Sequence, residues 1–336
     1  HIDDLDKEDV IRLDFDEKTF AIYKTKNLNI YATDGICTHG KTHLSDGLVI
    51  GDQIECPKHN GRFNVKDGTV ERPPVCLGLK TYETKIIENI IWVNPSSGKR
   101  KIAKKESKSY EVISNLNVAT FIKELILKPI NNGQLKFTSG DYVQFEIPAY
   151  KMNFKQINLK DIYKKVWKEE GLLDLYSFNN SKISRNYSIA SNPNLVDNLK
   201  FNVRLALSAN ESNHPPGVAS SYLFNLKKGD KVELFGPFGD FHLKQTKNEI
   251  VFIGGGAGMA PLRSQISSLF DSNPTERKVS FWYGARSEKE LFYQDYFKFL
   301  DKTFDNFNFN VALSAPLPTD NTKYNIGFIH DIIYNK

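Results

Sequence analysis

Four side chains near the start of the chain have the chemistry of metal ligands and an uncommon distribution. Cys37-Thr38-His39-Gly40 and Cys56-Pro57-Lys58-His59-Asn60-Gly61 read as C-x-H, sixteen residues, then C-x-x-H. Two thiolates and two imidazoles suit either a tetrahedral zinc ion or a 2Fe–2S cluster in which His replaces Cys on one iron. Zinc fingers tend to pair like ligands within one short loop, whereas each loop here supplies one Cys and one His. Two such loops can bring both sulfurs to one iron and both nitrogens to the other. Gly40 and Gly61 ease the close backbone approach that a sulfide-bearing cluster demands. Cys76, the third and last cysteine, has no place in this pattern and is expected to be a buried, unliganded core thiol.

The segments that must position these loops are short and β-rich: Val10–Asp14, Thr19–Thr25, Leu28–Thr33, Val49–Glu55, Leu77–Glu83 and Lys85–Val93. Asp34-Gly35, Asp46-Gly47 and Asp67-Gly68 punctuate them as turns. This predicts a small all-β domain over residues 1–95 with each ligand loop between strands. On its Cys37/His39/Cys56/His59 set the domain resembles the Rieske ferredoxins that serve bacterial oxygenases, which implies these four residues as the metal ligands. High-potential Rieske proteins carry a disulfide where this chain has Thr42 and Lys58. They also place Ser and Tyr hydroxyls near the cluster where it has Gly61 and Phe63. Hydrogen bonds to cluster sulfur raise the potential, so their absence implies a carrier near the roughly −150 mV end of the Rieske range.

A second set of residues could hold nucleotides. Arg185-Asn186-Tyr187-Ser188 heads a strand: an Arg can pair bidentately with a flavin pyrophosphate, a Tyr can stack on the isoalloxazine, and a hydroxyl can reach N5. Pro216–Leu223 follows, with Gly217 turning into a helix that includes Ser220, whose first amides can hold phosphate. Gly236–Phe241 closes the strand set. Ile253–Pro261 then carries Gly254, Gly255, Gly256, Gly258 and Met259 between an apolar strand and a helix, the context that gives a glycine run meaning for dinucleotides. Phe281–Arg286 ends the next strand, placing Tyr283 and Arg286 where an adenosine ribose would lie.

Residues 96–109 read as a basic linker with Lys99, Arg100, Lys101, Lys104 and Lys105, a solvated hinge or, as the lesser reading, a patch for an acidic partner. From 110 to 245 strands recur, interrupted by a surface helix within Ile157–Tyr176. From 246 to 336, strands Glu249–Ile253, Lys278–Tyr283 and Phe307–Ser314 alternate with helices Ala260–Phe270 and Glu288–Leu300, which predicts a parallel, doubly wound sheet. In that order the motifs resemble the ferredoxin–NADP reductase superfamily, above all the flavin subunit of sodium-pumping NADH:quinone reductases. The resemblance implies an antiparallel FAD-binding β-barrel over 110–245 and an NAD-binding α/β lobe over 246–336, so the chain is multidomain. Arg185, Tyr187, Ser188, Gly217 and Ser220 would hold FAD, Gly254–Gly258 would face the NADH phosphates, and NADH would be preferred to NADPH. Two departures matter. A Rieske domain replaces that subunit's membrane helix and four-cysteine ferredoxin domain, which points away from membership of the sodium pump. Family members also continue past Gly327-Phe328-Ile329-His330 to a Cys-Gly-Pro-Pro segment, so the NAD lobe is expected to be incomplete at its C-terminus.

The bulk properties bound the rest. The 336 residues, 40% hydrophobic and 25% charged, suffice for two or three globular domains. An excess of 45 Lys and Arg over 40 Asp and Glu is too small for a dedicated nucleic-acid binder. No apolar run approaches the ~18 residues that cross a bilayer. The three clustered cysteines suit metal binding in a reducing compartment, so a cytoplasmic protein is expected; the absence of an initiator Met suggests a fragment or processed product. His43, His214, His242 and His330 are read as surface or satisfied core. The expected activity is a two-to-one electron converter in which NADH reduces FAD and the Rieske cluster passes electrons singly to a partner protein, a terminal oxygenase. No side chain is assigned a catalytic role, because the chemistry belongs to the cofactors. The rival readings are a quinone or small-molecule reductase and an electron carrier that does not oxidise NADH.

Overall fold

The computed structural model describes residues 1–101, 107–130, 133–195, 197–207, 215–320 and 323–335. The chain divides into two compact units, His1–Glu106 and Ser107–Lys336.

The first unit is built from strands. Val10–Phe15, Lys18–Lys24 and Ile30–Asp34 form an antiparallel meander joined by Thr81–Tyr82, and Leu48–Ile50, Gln53–Glu55, Arg62–Asn64 and Val70–Arg72 form a second sheet in sequence order. Tyr23, Leu44, Ile54, Phe63, Val65, Val75 and Leu79 pack with Cys37 and Cys56 into its core. Two segments expected as single strands are hairpins. Val49–Glu55 reverses at Gly51, and Lys85–Val93 reverses at Glu88 and Asn89, all three with positive φ. Left-handed residues are what two-residue hairpin turns require, and Glu88-Asn89 supplies such a pair between Ile86-Ile87 and Ile90–Val93. Leu77–Glu83 contributes only Thr81–Tyr82, and the strands of 62–72 escaped the sequence reading. In the basic linker, Arg100 pairs with Asp34 at 3.4 Å and the exposed Lys101 with Asp67 at 2.7 Å, so these cations are tied to the domain surface. Lys104 and Lys105 lie outside the described residues.

The second unit opens with a six-stranded antiparallel sheet in the order Ile183–Ser188, Tyr142–Ile147, Lys231–Phe238, Lys108–Ala119, Ile122–Pro129 and Leu199–Arg204. A bridge between Ile189 and Phe201 joins the first of these to the last and closes a barrel. Helix α1, Asp161–Glu169, forms within the expected segment but is not merely superficial. Tyr163 and Trp167 share its inner face at i and i+4, and the Trp167 indole is fully buried, stacked on Phe224 and bonded to the Thr120 carbonyl at 3.1 Å. Helix α2, Val218–Asn225, lies against the barrel.

The remaining residues form a parallel sheet, Ile250–Gly255, Val279–Ala285, Phe307–Leu313 and Asn325–Ile326, in sequence order. Helices α3, Met259–Phe270, and α4, Gln294–Thr303, cover the face that presents Phe281 and Tyr283. Strand alternation turns Gly284 to the other face, where Ile329 of helix α5, Ile329–Tyr334, packs upon it. Helices therefore cover both faces. The helix expected over Glu288–Leu300 starts only at Gln294, because Tyr293 adopts a left-handed φ of 61° that breaks the helical run. Among the described residues no helix is long and apolar enough to cross a membrane.

One charge lies deep inside the barrel. Lys123 is 1% exposed, and its ammonium donates to the carbonyls of Asn158 at 2.6 Å and Phe224 at 2.9 Å. Phe224 sits in the last turn of α2, where a cation complements the helix dipole. Burial pushes the Lys123 amine down to about 8. The unfolded chain, with an ordinary Lys near 10.4, then holds more protons than the folded one between these values, so stability should rise with pH through that window. Denaturant unfolding from pH 7.5 to 10.5 should show this rise in the wild type, and Lys123→Met should flatten it.

Candidate functional site

The two ligand loops are the same turn built twice. Cys37 N–H donates to the Thr42 carbonyl at 2.9 Å and Cys56 N–H to the Gly61 carbonyl at 2.8 Å. Lys41 N–H returns to the Cys37 carbonyl, and Asn60 N–H to that of Cys56. Lys41 and Asn60, each four residues past its cysteine, take the left-handed conformation that closes the loop, with φ of 53° and 56°. The closure points spare amides at sulfur. Gly40 N–H lies 3.4 Å from Cys37 Sγ, and the amides of Lys58 and His59 face Cys56. Burial pushes the Cys56 thiol up, those amides oppose the shift, and the neighbouring Cys37 reinforces it.

The loops bring the four expected ligands together, like with like. Cys37 and Cys56 are buried side by side, within hydrogen-bonding reach of each other. His39 and His59 are exposed, with ring centroids 4.8 Å apart in an edge-to-face arrangement. Among the described residues no three His, Cys, Asp or Glu side chains converge as ligands of a single ion. A buried sulfur pair beneath a solvent-facing imidazole pair fits a two-iron cluster whose irons take two sulfurs and two nitrogens respectively. Three contacts that the sequence reading missed brace this arrangement. Lys58 Nζ bonds the Gly40 carbonyl at 3.2 Å, spanning the two loops where a disulfide stands in high-potential relatives. Thr38 Oγ1 bonds the Leu77 carbonyl at 2.7 Å. Val75 packs so closely on Gly61 that a β-carbon there would lie 2.8 Å from its Cγ1. Cys76 is half-buried, with Sγ beside the Pro74 carbonyl at 3.6 Å, not in the core as expected, because its neighbours Val75 and Leu79 take the inward positions.

In the second unit, Arg185 is exposed, its guanidinium bonded locally to the Ser184 carbonyl at 2.8 Å. Tyr187 lies on the same side of the strand, half-buried, its ring edge-on to Phe145 at 5.5 Å, and burial raises its phenol. Ser188 is half-buried at the strand's end. Helix α2 begins at Gly217 with no side-chain cap, leaving first-turn amides for an anion. A β-carbon at Gly217 would lie 2.8 Å from both Ala206 Cβ and Ser220 Oγ, so only glycine fits. Ser220 is placed differently from expectation. Its hydroxyl donates to the Gly217 carbonyl at 3.0 Å and accepts from Ala206 N–H at 3.1 Å, so it pins the turn and has no bond left for a phosphate.

The glycine run divides its work. A β-carbon at Gly254 would collide with Leu262 of α3, and one at Gly255 with the Gly284 carbonyl on the next strand. Gly256, at φ 54°, and Gly258 instead face open space, and α3 starts at Gly258 without a side-chain cap. That cradle fits a nucleotide diphosphate. Arg286 is exposed beyond the adjacent strand. Met259 and Tyr283 differ from expectation in their side chains, which are both fully buried. Tyr283 stacks on Phe281 at 5.6 Å because odd-numbered residues of its strand face the helices, so neither side chain can meet a nucleotide. His43 is a satisfied core residue, bonded to Thr19 at 2.8 Å and Ser45 at 2.7 Å. His242 pairs with Asp141 at 2.8 Å, and His330 is exposed. His214 lies outside the described residues.

Comparison with known proteins agrees with this division. A Rieske [2Fe-2S] domain matches residues 1–83, an oxidoreductase FAD-binding domain residues 172–243, and an oxidoreductase NAD-binding domain residues 252–336. The F component of the Na(+)-translocating NADH-quinone reductase of Shewanella putrefaciens is 49% identical over 224 residues, 67% of this chain and 74% of that protein. Its counterpart in Moritella marina is 46% identical over 294 residues, 87% of each. Among solved structures, the Amycolatopsis cytochrome P450 reductase GcoB superposes with a TM-score of 0.51 at 23% identity, over 73% of this chain and 62% of that one, a likeness of fold. The three domains together make the chain an NADH-dependent oxidoreductase carrying a Rieske 2Fe–2S cluster and FAD. With relatives this similar over this much of their length, the chain belongs to the family of the F component of Na(+)-translocating NADH-quinone reductases.

Proposed function

We propose that the chain draws electrons from NADH and delivers them singly, from the tip of its Rieske domain, to a redox protein, a terminal oxygenase of the hydroxylating type. The observation that carries this reading is the exposed His39/His59 pair above the buried Cys37/Cys56 pair. When bound, FAD accepts the hydride of NADH, while the cluster holds one electron at a time and so sets the unit of delivery. Cys37, His39, Cys56 and His59 would hold the cluster, and the two imidazole edges give an electron a short path to a docked partner. Arg185 and the open amides of α2 would hold the FAD diphosphate, with the Tyr187 ring beside its isoalloxazine. Gly256, Gly258 and the first turn of α3 would hold the NADH diphosphate. A second reading, delivery to a quinone, is favoured by the names of the relatives.

The oxygenase assignment leans on a low cluster potential. Sulfur donors here are backbone amides, those of Gly40, Lys58 and His59. No hydroxyl stands at Gly61 or at Phe63, which lies in the core. Two absent donors at about 1–2 kcal/mol each lower the potential by about one to three steps of 59 mV.

Cys37→Ser should lose iron yet keep FAD. It should still bleach its flavin with NADH, while cytochrome c reduction drops at least about tenfold, since the one-electron outlet is gone. Ubiquinone-1 reduction that stays at the wild-type rate in this variant would remove the cluster from the route. Cluster-dependent reduction of ubiquinone-1 that outpaces cytochrome c would favour the quinone reading.

The midpoint potential, read by titrating the paramagnetic signal of the reduced cluster, should fall well below zero. Gly61→Ser alone should destabilise the loops, because its β-carbon meets Val75. Gly61→Ser combined with Val75→Ala should fold and raise the midpoint by about one 59-mV step relative to Val75→Ala. An unchanged midpoint would mean that the hydroxyl position does not set the potential.

A further inference from the structure

Helix α3 has two buried faces of opposite character. Met259, Leu262, Ile266 and Phe270 form the apolar stripe that enters the core of its own lobe. The other face is polar and nonetheless buried, with Ser264 0%, Gln265 2% and Ser267 1% exposed. It forms a ladder to the barrel. Arg263 Nη1 donates to the Ala190 carbonyl at 2.6 Å, Ser264 Oγ to the Ser191 carbonyl at 2.6 Å, and Asn192 Nδ2 to the Ser267 carbonyl at 2.9 Å. Ala190 and Ser191 are the second and third residues after Ser188.

Arg263 does more than its neighbours on this ladder. Its guanidinium carbon lies 4.7 Å from the centre of the Tyr293 ring and 5.7 Å from that of Tyr296. The Tyr293 hydroxyl donates to Glu124 at 2.5 Å and accepts from Asn202 Nδ2 at 2.8 Å, both on barrel strands. The Tyr296 hydroxyl donates to Asp271 at 2.7 Å. Tyr293 holds a left-handed φ of 61°, unfavourable for a residue with a β-carbon and sustained only where its surroundings fix it. Arg263 therefore closes a circuit that runs from the flavin-type strand through α3 and the start of α4 back to the barrel.

We propose that Arg263 is a positioning residue that sets the approach of the nucleotide on α3 to the flavin beside Tyr187. The inference rests on the reading of those two sites given above. In the transfer, NADH loses a hydride, one proton with two electrons, to become NAD⁺, and FAD gains it. Such transfers need reacting atoms about 3–3.5 Å apart, and a displacement of about 1 Å costs about 100-fold in rate. Affinity for NADH resides in the glycine turn, which Arg263 does not touch.

The test uses the full chain loaded with FAD and follows flavin bleaching by NADH in stopped flow. For Arg263→Met, FAD content and NADH Kd should stay within about threefold of wild type, while the limiting bleaching rate falls about 100-fold. Arg263→Lys keeps the charge but loses the planar fork and should recover about tenfold of that loss. Amide exchange without NADH should rise at residues 190–192 and 263–267 in the Met variant. A wild-type limiting rate, a loss confined to Kd, or unchanged exchange overturns the proposal. Should Arg263→Met not fold, Ser264→Ala is expected to show the same rate-over-Kd pattern at about fivefold, and wild-type behaviour there overturns it. If the wild-type flavin is not reduced by NADH, the functional reading fails on its own, and the exchange comparison still decides whether Arg263 locks the two sites together.

Discussion

Backbone amides must find partners, and each candidate site lies where the chain turns too tightly for them to find one in their own secondary structure. In the first unit, closing the loops after Cys37 and Cys56 with a left-handed fifth residue aims the amides of Gly40, Lys58 and His59 at sulfur. In the second unit, α2 and α3 both begin at a glycine with no side-chain cap, so their first amides remain open to an anion. The same electrostatic element, an oriented N–H dipole, thus suits a thiolate-held cluster in one unit and diphosphates in the other. The scaffolds differ because the demands differ. A cluster needs two loops held face to face, which two short antiparallel sheets provide. A diphosphate needs one helix end held at a strand's terminus, which the barrel and the parallel lobe provide.

Apolar burial builds each core, but polar contacts decide the register between barrel and lobe. A hydrophobic interface tolerates sliding, since burial is not directional. A ladder of Arg263, Ser264 and Ser267 against three consecutive residues, 190–192, does not, because each rung lost leaves a buried group without a partner. Gln265 on the Phe241 carbonyl at 2.5 Å and Ser139 on Ser268 at 2.9 Å extend the same principle along the helix. In the first unit Lys58 plays a comparable part, joining two loops through a single charged hydrogen bond.

Much of the architecture is legible in local pattern. The Cys and His spacing, the strand before and helix after the glycine run, and the Arg185–Ser188 signature are all read from neighbours along the chain. Helix α3 begins within one residue of the helix expected over Ala260–Phe270, because Leu262, Ile266 and Phe270 recur at helical spacing. Reading failed where local pattern was weak. In 85–93 the polar pair Glu88-Asn89 interrupts the apolar residues and marks the turn, but with no glycine or proline beside it the segment reads as one strand. Tyr293 carries no sequence signal for a left-handed residue, and the helix was therefore placed too early.

The sequence by itself determined which atoms can bind what: two thiolates with two imidazoles, an arginine fork, and amides freed by glycine. These are properties of residue type and short spacing, and no tertiary contact alters them. The tertiary structure alone decided which of them point outward and which are already engaged. Cys37 and Cys56 go inward while His39 and His59 face solvent, because the core of the first unit closes over the sulfur side. Ser220, Met259 and Tyr283 sit within recognisable motifs, yet packing and hydrogen bonds to residues distant in sequence or on neighbouring elements already engage their side chains. Lys123 and Arg263 read as ordinary cations along the chain. Their importance comes from carbonyls and rings that lie far away in sequence and meet only in the fold, because burial removes the water that would otherwise satisfy them.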